Sequence, residues 1–254
     1  MPQGKRQAEG QLWGQNPCHR GKQFWRILAI ILSLMAVLFL VKAAIALFPY
    51  LNLPNVTKES LDGLQLDGCQ NVMFVAHPDD ELLWGGKHLL AGDYLVVCLS
   101  RGDDKVRRAE FEKVLEATGD KGLILSYPDK ILNWRADWKF WQGKIEADVA
   151  SILQYKDWEL VVSHNAQGEY GHPHHKMAHG IVEKEYRDTG CKANLYWFGK
   201  YYVNDKIPYG LTEMDKPSYI QKRKIAKLYQ SQRDTIRKMY HMLPYEEWEP
   251  YPMQ

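Results

Sequence analysis

Cysteine is scarce in this sequence, with four residues in 254, too few for a fold built on disulfides. Neither sign of charge dominates, since 33 Lys and Arg stand against 31 Asp and Glu for a net charge of +2. That balance lacks the basic excess that marks nucleic-acid-binding domains, so no nucleic-acid partner is expected. Internal repeats and low-complexity tracts are missing as well. With 45% apolar and 25% charged residues, the composition excludes wholesale disorder. At roughly 100–200 residues per domain, the length suits one or two domains with a real core. Aromatics, by contrast, are plentiful, with nine Trp and fifteen Tyr, as suits carbohydrate or interface surfaces and large cores alike.

Long hydrophobic runs are limited to one. Residues 27–41 read ILAIILSLMAVLFLV, and after Lys42 the run continues as AAIALF to Phe48. Counted as a helix, 27–48 extends about 33 Å, enough to span a bilayer. Lys42 near the outer end can snorkel to the interface. Lys5, Arg6, Arg20, Lys22 and Arg26 precede the run, which by the positive-inside rule sets residues 1–26 in the cytoplasm and the rest of the chain outside. Pro49 and Pro54 predict that the helix gives way to an extended linker over 49–69. A cleaved signal peptide, with Ala44-Ile45-Ala46 at its cleavage site, and a buried core helix are the rival readings.

Beyond residue 70 the pattern alternates. Short apolar runs at 71–76, 94–100, 122–127, 158–164 and 193–199 read as buried strands. Helical spacing falls at 80–92, ending on Gly92, at 105–118, ending on Gly119, and at 138–155 and 173–188. A long amphipathic helix rich in Lys and Arg is predicted over 217–241, its basic stripe read as a solvated face. Strands alternating with helices predict an α/β fold, Rossmann-like, with a mainly parallel sheet flanked by helices and preceded by one transmembrane helix. In such sheets ligands bind beyond the C-terminal ends of strands.

Two clusters of metal-type ligands sit at such ends. The first is His77-Pro78-Asp79-Asp80-Glu81, after the first strand. The second runs from His164 to His179, after the fourth, and holds five of the nine histidines, where chance would place fewer than one. Zinc accepts imidazole nitrogen and carboxylate oxygen, and a catalytic site leaves one coordination position open. His77 and Asp80, three apart at a strand-to-helix turn, can share one ion, with Asp79 between them as a general base. His175 offers a third ligand. His179, one helical turn away, competes for that place. His164 is a candidate to support the ligands, whereas His88 is read as a surface residue with no acidic partner. Imidazole–carboxylate sites accept Fe2+ and other divalent ions as well as Zn2+.

AHPDDE and HNAQGEYGHPHH together closely resemble the motifs of the PIG-L/LmbE-like family of zinc-dependent de-N-acetylases. Arg107-Arg108-Ala109-Glu110 resembles that family's R-x-x-E helix, Tyr127-Pro128-Asp129 its P-D loop and Tyr229-Gln230-Ser231-Gln232 its S-Q segment. The resemblance covers about residues 70–235, and 70–254 is the expected catalytic domain. It implies His77, Asp80 and His175 as zinc ligands, Asp79 as general base and a protonated His172 as the group that stabilises the oxyanion. It also implies Arg107 and Asp129 as substrate contacts. His174 stands where the family often has Asp. The implied reaction removes the acetyl group from an N-acetylglucosamine-containing substrate. A membrane-tethered glycan-binding module without turnover is the alternative, and a phosphoesterase on the same fold is a further one. Among the cysteines, Cys18 is expected in the cytoplasm, Cys98 in the core, and a Cys69–Cys191 bridge is conceivable but not required.

Overall fold

A computed structural model describes residues 17–252, with side chains from residue 21. Much of the expected cytoplasmic tail, including Lys5, Arg6 and the side chains of Cys18 and Arg20, lies outside the described residues. The chain divides into two compact units, Met1–Phe48 and Pro49–Gln254.

The first unit holds helix α1 (Pro17–Leu47). Leu, Ile, Val and Ala dominate it, and no acidic residue interrupts its described length. Residues 21–50 are long and apolar enough to cross a membrane, with none of that window buried, and among the described residues this is the one such helix.

The second unit begins earlier than the expected catalytic domain. Residues 49–69 are not an extended linker. They carry α2 (Lys58–Asp62), capped by Thr57, and bury Val56, Leu61, Leu66 and Cys69. The Val56 amide donates to Asp148 (2.9 Å) and the Trp141 indole to the Tyr50 carbonyl (2.8 Å). Apolar side chains at 56, 61 and 66 explain why the segment packs instead of hanging free.

From there the order is β1 (Asn71–Val75), α3 (Asp80–Leu89), β2 (Tyr94–Ser100), α4 (Lys105–Thr118), β3 (Lys121–Tyr127), β4 (Lys130–Ile131), β5 (Trp134–Arg135), α5 (Gln142–Leu153), β6 (Leu160–Ser163), α6 (Pro173–Asp188), β7 (Asn194–Trp197), α7 (Lys216–Ala226), α8 (Arg233–Met239) and β8 (Glu249–Pro250). The main sheet has the order β3-β2-β1-β6-β7-β8, parallel except for β8, while β4 and β5 form a separate hairpin. β1 and β2 are apolar nearly throughout because helices cover both sheet faces. Met73, Val75, Val96 and Cys98 join Leu82, Phe111, Val114, Ile225 and Tyr229 in one core. Val72, Phe74, Leu95 and Val97 are equally buried and, by the alternation of a strand, point the other way.

Local signals set most boundaries. Asp104 accepts the Val106 and Arg107 amides to start α4, and Gly119 at φ 87° ends it. Pro173 opens α6. The expected helix 138–155 starts as a 3-10 turn at 138–140. α3 stops at Leu89, with Gly92 in the following turn at φ 81°.

The predicted helix 217–241 is broken. Tyr229 is turned into the core and donates to Glu81. Ser231 gives both its amide (2.7 Å) and its hydroxyl (2.6 Å) to Glu110. Those bonds hold backbone that a continuous helix would use, so α7 ends and α8 restarts. The basic stripe is solvated with one exception: Lys222 is fully buried and pairs with Glu246. His88 is likewise no lone surface residue. Its ring stacks on Trp248 with centroids 3.6 Å apart, and Nδ1 lies 3.1 Å from Glu246. Cys69, Cys98 and Cys191 are free thiols, with Cys98 buried in β2.

Candidate active site and metal centre

Strand order reverses at β1. β2 and β3 extend the sheet one way and β6 and β7 the other, which opens a crevice beyond the ends of β1 and β6. Both His-rich segments leave the sheet there. The turn after β1 closes on itself, the His77 amide donating to Asp80 Oδ2 (2.9 Å) and the Asp79 amide to Glu81 (3.0 Å). Asp79 has φ 122°, a conformation that an L side chain adopts only under local constraint. After β6 the chain turns through Gly168 at φ 67°, where a Cβ would meet the His172 carbonyl at 2.7 Å. That close approach requires glycine and sets the entry to α6.

Asp80 Oδ2 joins the two segments, lying 3.3 Å from His77 Nδ1 and 3.3 Å from His175 Nε2. Hydrogen bonds then fix which nitrogens are free. His175 Nδ1 bonds Glu169, which leaves Nε2 as the nitrogen turned toward Asp80; against burial, Asp80 and Glu169 raise the ring to about 10, so a bound ion would take the place of the Nε2 proton. That Nε2 is buried and has no hydrogen-bond partner. His174 Nε2 donates to the Ala136 carbonyl (2.7 Å), so its Nδ1 accepts from His77 Nε2 (3.1 Å). His77 therefore also turns its other nitrogen, Nδ1, toward Asp80. His164 differs. Its Nε2 accepts the Ala76 amide (2.9 Å) and its Nδ1 donates to Glu169 (3.0 Å), leaving no lone pair for an ion. His179 turns to the His164 carbonyl (3.0 Å) and to Glu183, and joins none of the close ligand groups among the described residues.

The orphaned Nε2 of His175, the free Nδ1 of His77 and the Asp80 carboxylate fit a divalent cation. Glu169 behind His175 supplies the carboxylate–imidazole pairing that orients metal-binding histidines. His172 completes a group with His77 and His175 whose donor atoms lie within 4.8 Å of one another.

The electrostatics separate the two adjacent aspartates. Burial pushes the Asp79 carboxyl up to about 7, opposed by Arg107, whose guanidinium lies 3.3 Å away. Burial works against the Asp80 carboxylate too, yet His175 and His77 hold it well below the usual range. Burial, then the charges of His77 and His175, push His172 down to about 2. That direction favours the neutral ring over the expected protonated form. Its Nδ1 is buried without a partner.

Arg107 binds the Pro78 carbonyl and stands beside Asp79, so it braces the turn as well as lining the cleft. Asp129 is paired with Arg101 and lies 3.4 Å from His77 Nε2. The cleft has a volume of about 350 Å³ and brings His77, Asp79, Asp80, Arg107, Asp129 and His172 to one surface. His175 sits beneath it, fully buried. Sequence reasoning missed Glu169, Tyr170 and Arg135. Glu169 was visible inside the second motif, whereas Tyr170 and Arg135 reach the cleft from a loop and a hairpin that carry no periodic signal.

The family described as PIG-L, GlcNAc-PI de-N-acetylase, matches residues 72–186. An uncharacterised protein of Acanthamoeba polyphaga mimivirus is 29% identical over 195 residues, covering 70% of this chain and 78% of that protein. Among solved structures, the pseudoaglycone deacetylase Dbv21 is similar at TM-score 0.53 and 18% identity, covering 67% of this chain and 85% of its own. The N,N'-diacetylchitobiose deacetylase of Pyrococcus horikoshii is similar at TM-score 0.52 and 16% identity, covering 78% and 94%. A conserved protein of Thermus thermophilus is similar at 0.51 and 17%, covering 73% and 96%. These structures share the fold, and the match to the PIG-L family runs from β1 to α6 and takes in both His- and Asp-rich motifs.

Proposed function

We propose that the protein is a metal-dependent amidohydrolase that removes the N-acetyl group from an N-acetylglucosamine-containing glycoconjugate at a membrane surface. The observation that carries this reading is Asp79. It is constrained, buried and poised near neutrality, between two residues that turn free metal-ligating atoms toward the cleft.

His77, Asp80 and His175 would hold the ion, Zn2+ or another divalent metal such as Fe2+. When bound, such an ion polarises a carbonyl and lowers the pKa of water. Asp79 accepts a proton from the attacking water, as a carboxyl with a pKa near the working pH does best. Arg107 keeps it aimed. Neutral His172 offers an N–H to the oxygen on which charge develops. Asp79, now protonated, returns its proton to the departing amine, leaving acetate and a free amino sugar. Arg107 and Asp129 line the same cleft as contacts for the sugar.

The five basic residues before the apolar run support an N-terminus in the cytoplasm and a catalytic unit on the far side. That placement favours a lipid-linked, cell-wall or other surface glycan. The test is a screen of N-acetylated glycoconjugates for free amine and acetate release, with Asp79→Ala as control. Release from none of them, by protein loaded with Zn2+ or Fe2+, would overturn the reading.

A further inference from the structure

The break between α7 and α8 builds a second feature, apart from the cleft. A hollow of about 380 Å³ opens between the two helices, its wall almost wholly apolar, with Ile236, Tyr229 and Tyr240 among its lining. Arg223, Lys227, Arg233 and Arg237 rim it. Arg223 lies over the rings of Tyr219 (5.3 Å) and Tyr240 (4.7 Å). Among the described residues, Arg237 alone of these four has a carboxylate partner, the exposed Asp234. Ile220, on α7, is 55% exposed. Residues 216–239 hold eight basic residues, seven of them exposed and Lys222 buried on Glu246, against the single acid Asp234, while the whole chain is only +2, so the rest of it is net acidic.

Cations around an apolar floor match the chemistry of an anionic amphiphile. A polyanion such as RNA needs the charge but not the floor, and an apolar partner helix needs the floor but not the charge. We infer that the α7–α8 corner docks on anionic phospholipid headgroups in the bilayer leaflet that faces the catalytic unit. The inference rests on the membrane placement proposed above and not on the deacetylase chemistry. Because residues 21–50 already hold the chain at a bilayer in that reading, a weak surface contact suffices through high effective concentration. α8 gives the contact a purpose. Gln232 and Thr235 line the catalytic cleft, while Arg233, Ile236 and Arg237 line the hollow. Docking would therefore set the cleft's rim at headgroup level, where the glycan of a lipid-borne substrate lies.

The experiment is hydrogen–deuterium exchange on the full chain with nanodiscs of phosphatidylcholine alone or with one-third phosphatidylglycerol. Incorporation into the discs, read separately by size exclusion, reports on the membrane segment. Peptides within 219–240 are expected to exchange about tenfold more slowly with the anionic discs, and the difference to vanish at high salt. The combined change Lys227→Glu, Arg233→Glu and Arg237→Glu should abolish it, and Arg233→Gln with Arg237→Gln should halve it. Equal exchange with the two lipids, for incorporated protein, overturns the inference. So does equal protection by polyuridylate without lipid, which would assign the face to a nucleic-acid-like polyanion.

Discussion

Asp79 and Asp80 are neighbours with opposite electrostatics, and the difference is one of surroundings. Asp80 faces imidazoles and stays ionised, whereas Asp79 is buried against one guanidinium and sits near neutrality. Asp79→Asn should keep the bound metal and lose about 10²–10⁴-fold in activity, measured by amine release beside elemental analysis. His175→Ala should lose the metal and His179→Ala retain it; the reverse result would move the third ligand. His174 Nδ1 meets His77 Nε2 at 3.1 Å. Its ring is clamped between the Ala136 carbonyl and the face of Trp138, with centroids 4.2 Å apart. His174→Phe should fill that space but leave His77 Nε2 with Asp129 alone, 3.4 Å away, lowering metal affinity by about 10–100-fold in a chelator competition. The two segments that meet at the cleft were readable because metal-type ligands at fixed spacing stand out in a sequence. The role of His174 was not, since its partner Ala136 lies 38 residues away on another loop. A titration unrelated to the site is expected at Asp120. Burial raises its carboxyl to about 6, so the folded state binds more protons than the unfolded chain, and stability falls as pH rises from about 4 to 6. Asp120→Asn, which keeps the acceptor for the Tyr94 amide, should raise the melting temperature at pH 8 and leave it nearly unchanged at pH 4.

Among the elements, strands β1, β2 and β3 and helices α4 and α6 fall close to where apolar runs and capping residues put them. α7 and α8 do not, because their break is imposed from outside by Glu81 and Glu110. Periodicity along 217–241 continues through the break and carries no trace of it. The β4–β5 hairpin, two residues on each side of a turn with Leu132 at φ 50° and Asn133 at φ 66°, is too short to register as a strand pattern. Lys222 was hidden for a related reason. On a basic helix it reads as one more solvated cation, yet its ammonium bonds the Leu83 carbonyl (3.0 Å) and Glu246, joining α7 to α3. Lys222→Met should leave Glu246 buried without its cation and cost about 3–5 kcal/mol in denaturant unfolding. A change below about 1 kcal/mol would show that the Lys87 amide and His88 satisfy Glu246 by themselves.

At the scale of the whole molecule, one apolar helix and one α/β unit were both legible, the first from uninterrupted hydrophobicity and the second from alternation. The join between them was not, since prolines at 49 and 54 suggest an extended chain while the packing of 56–66 depends on partners far away in sequence. Protease added outside intact cells should remove the catalytic unit if residues 27–48 are an uncleaved anchor; a secreted chain starting at about residue 47 would instead show a signal peptide. The switch-point arrangement carries a further consequence for how the protein matures. Contacts from the first motif to the second, such as Ala76 to His164 and His77 to His174, close loops of 88 and 97 residues. Neither motif can form the ion site alone, and the entropy of that closure is met only once β1 and β6 pair. Metal affinity is in that case inseparable from folding free energy. An ion held by His77, Asp80 and His175 would be acquired where and when the domain folds, and its identity would reflect the supply of that compartment, not an affinity of the nascent chain.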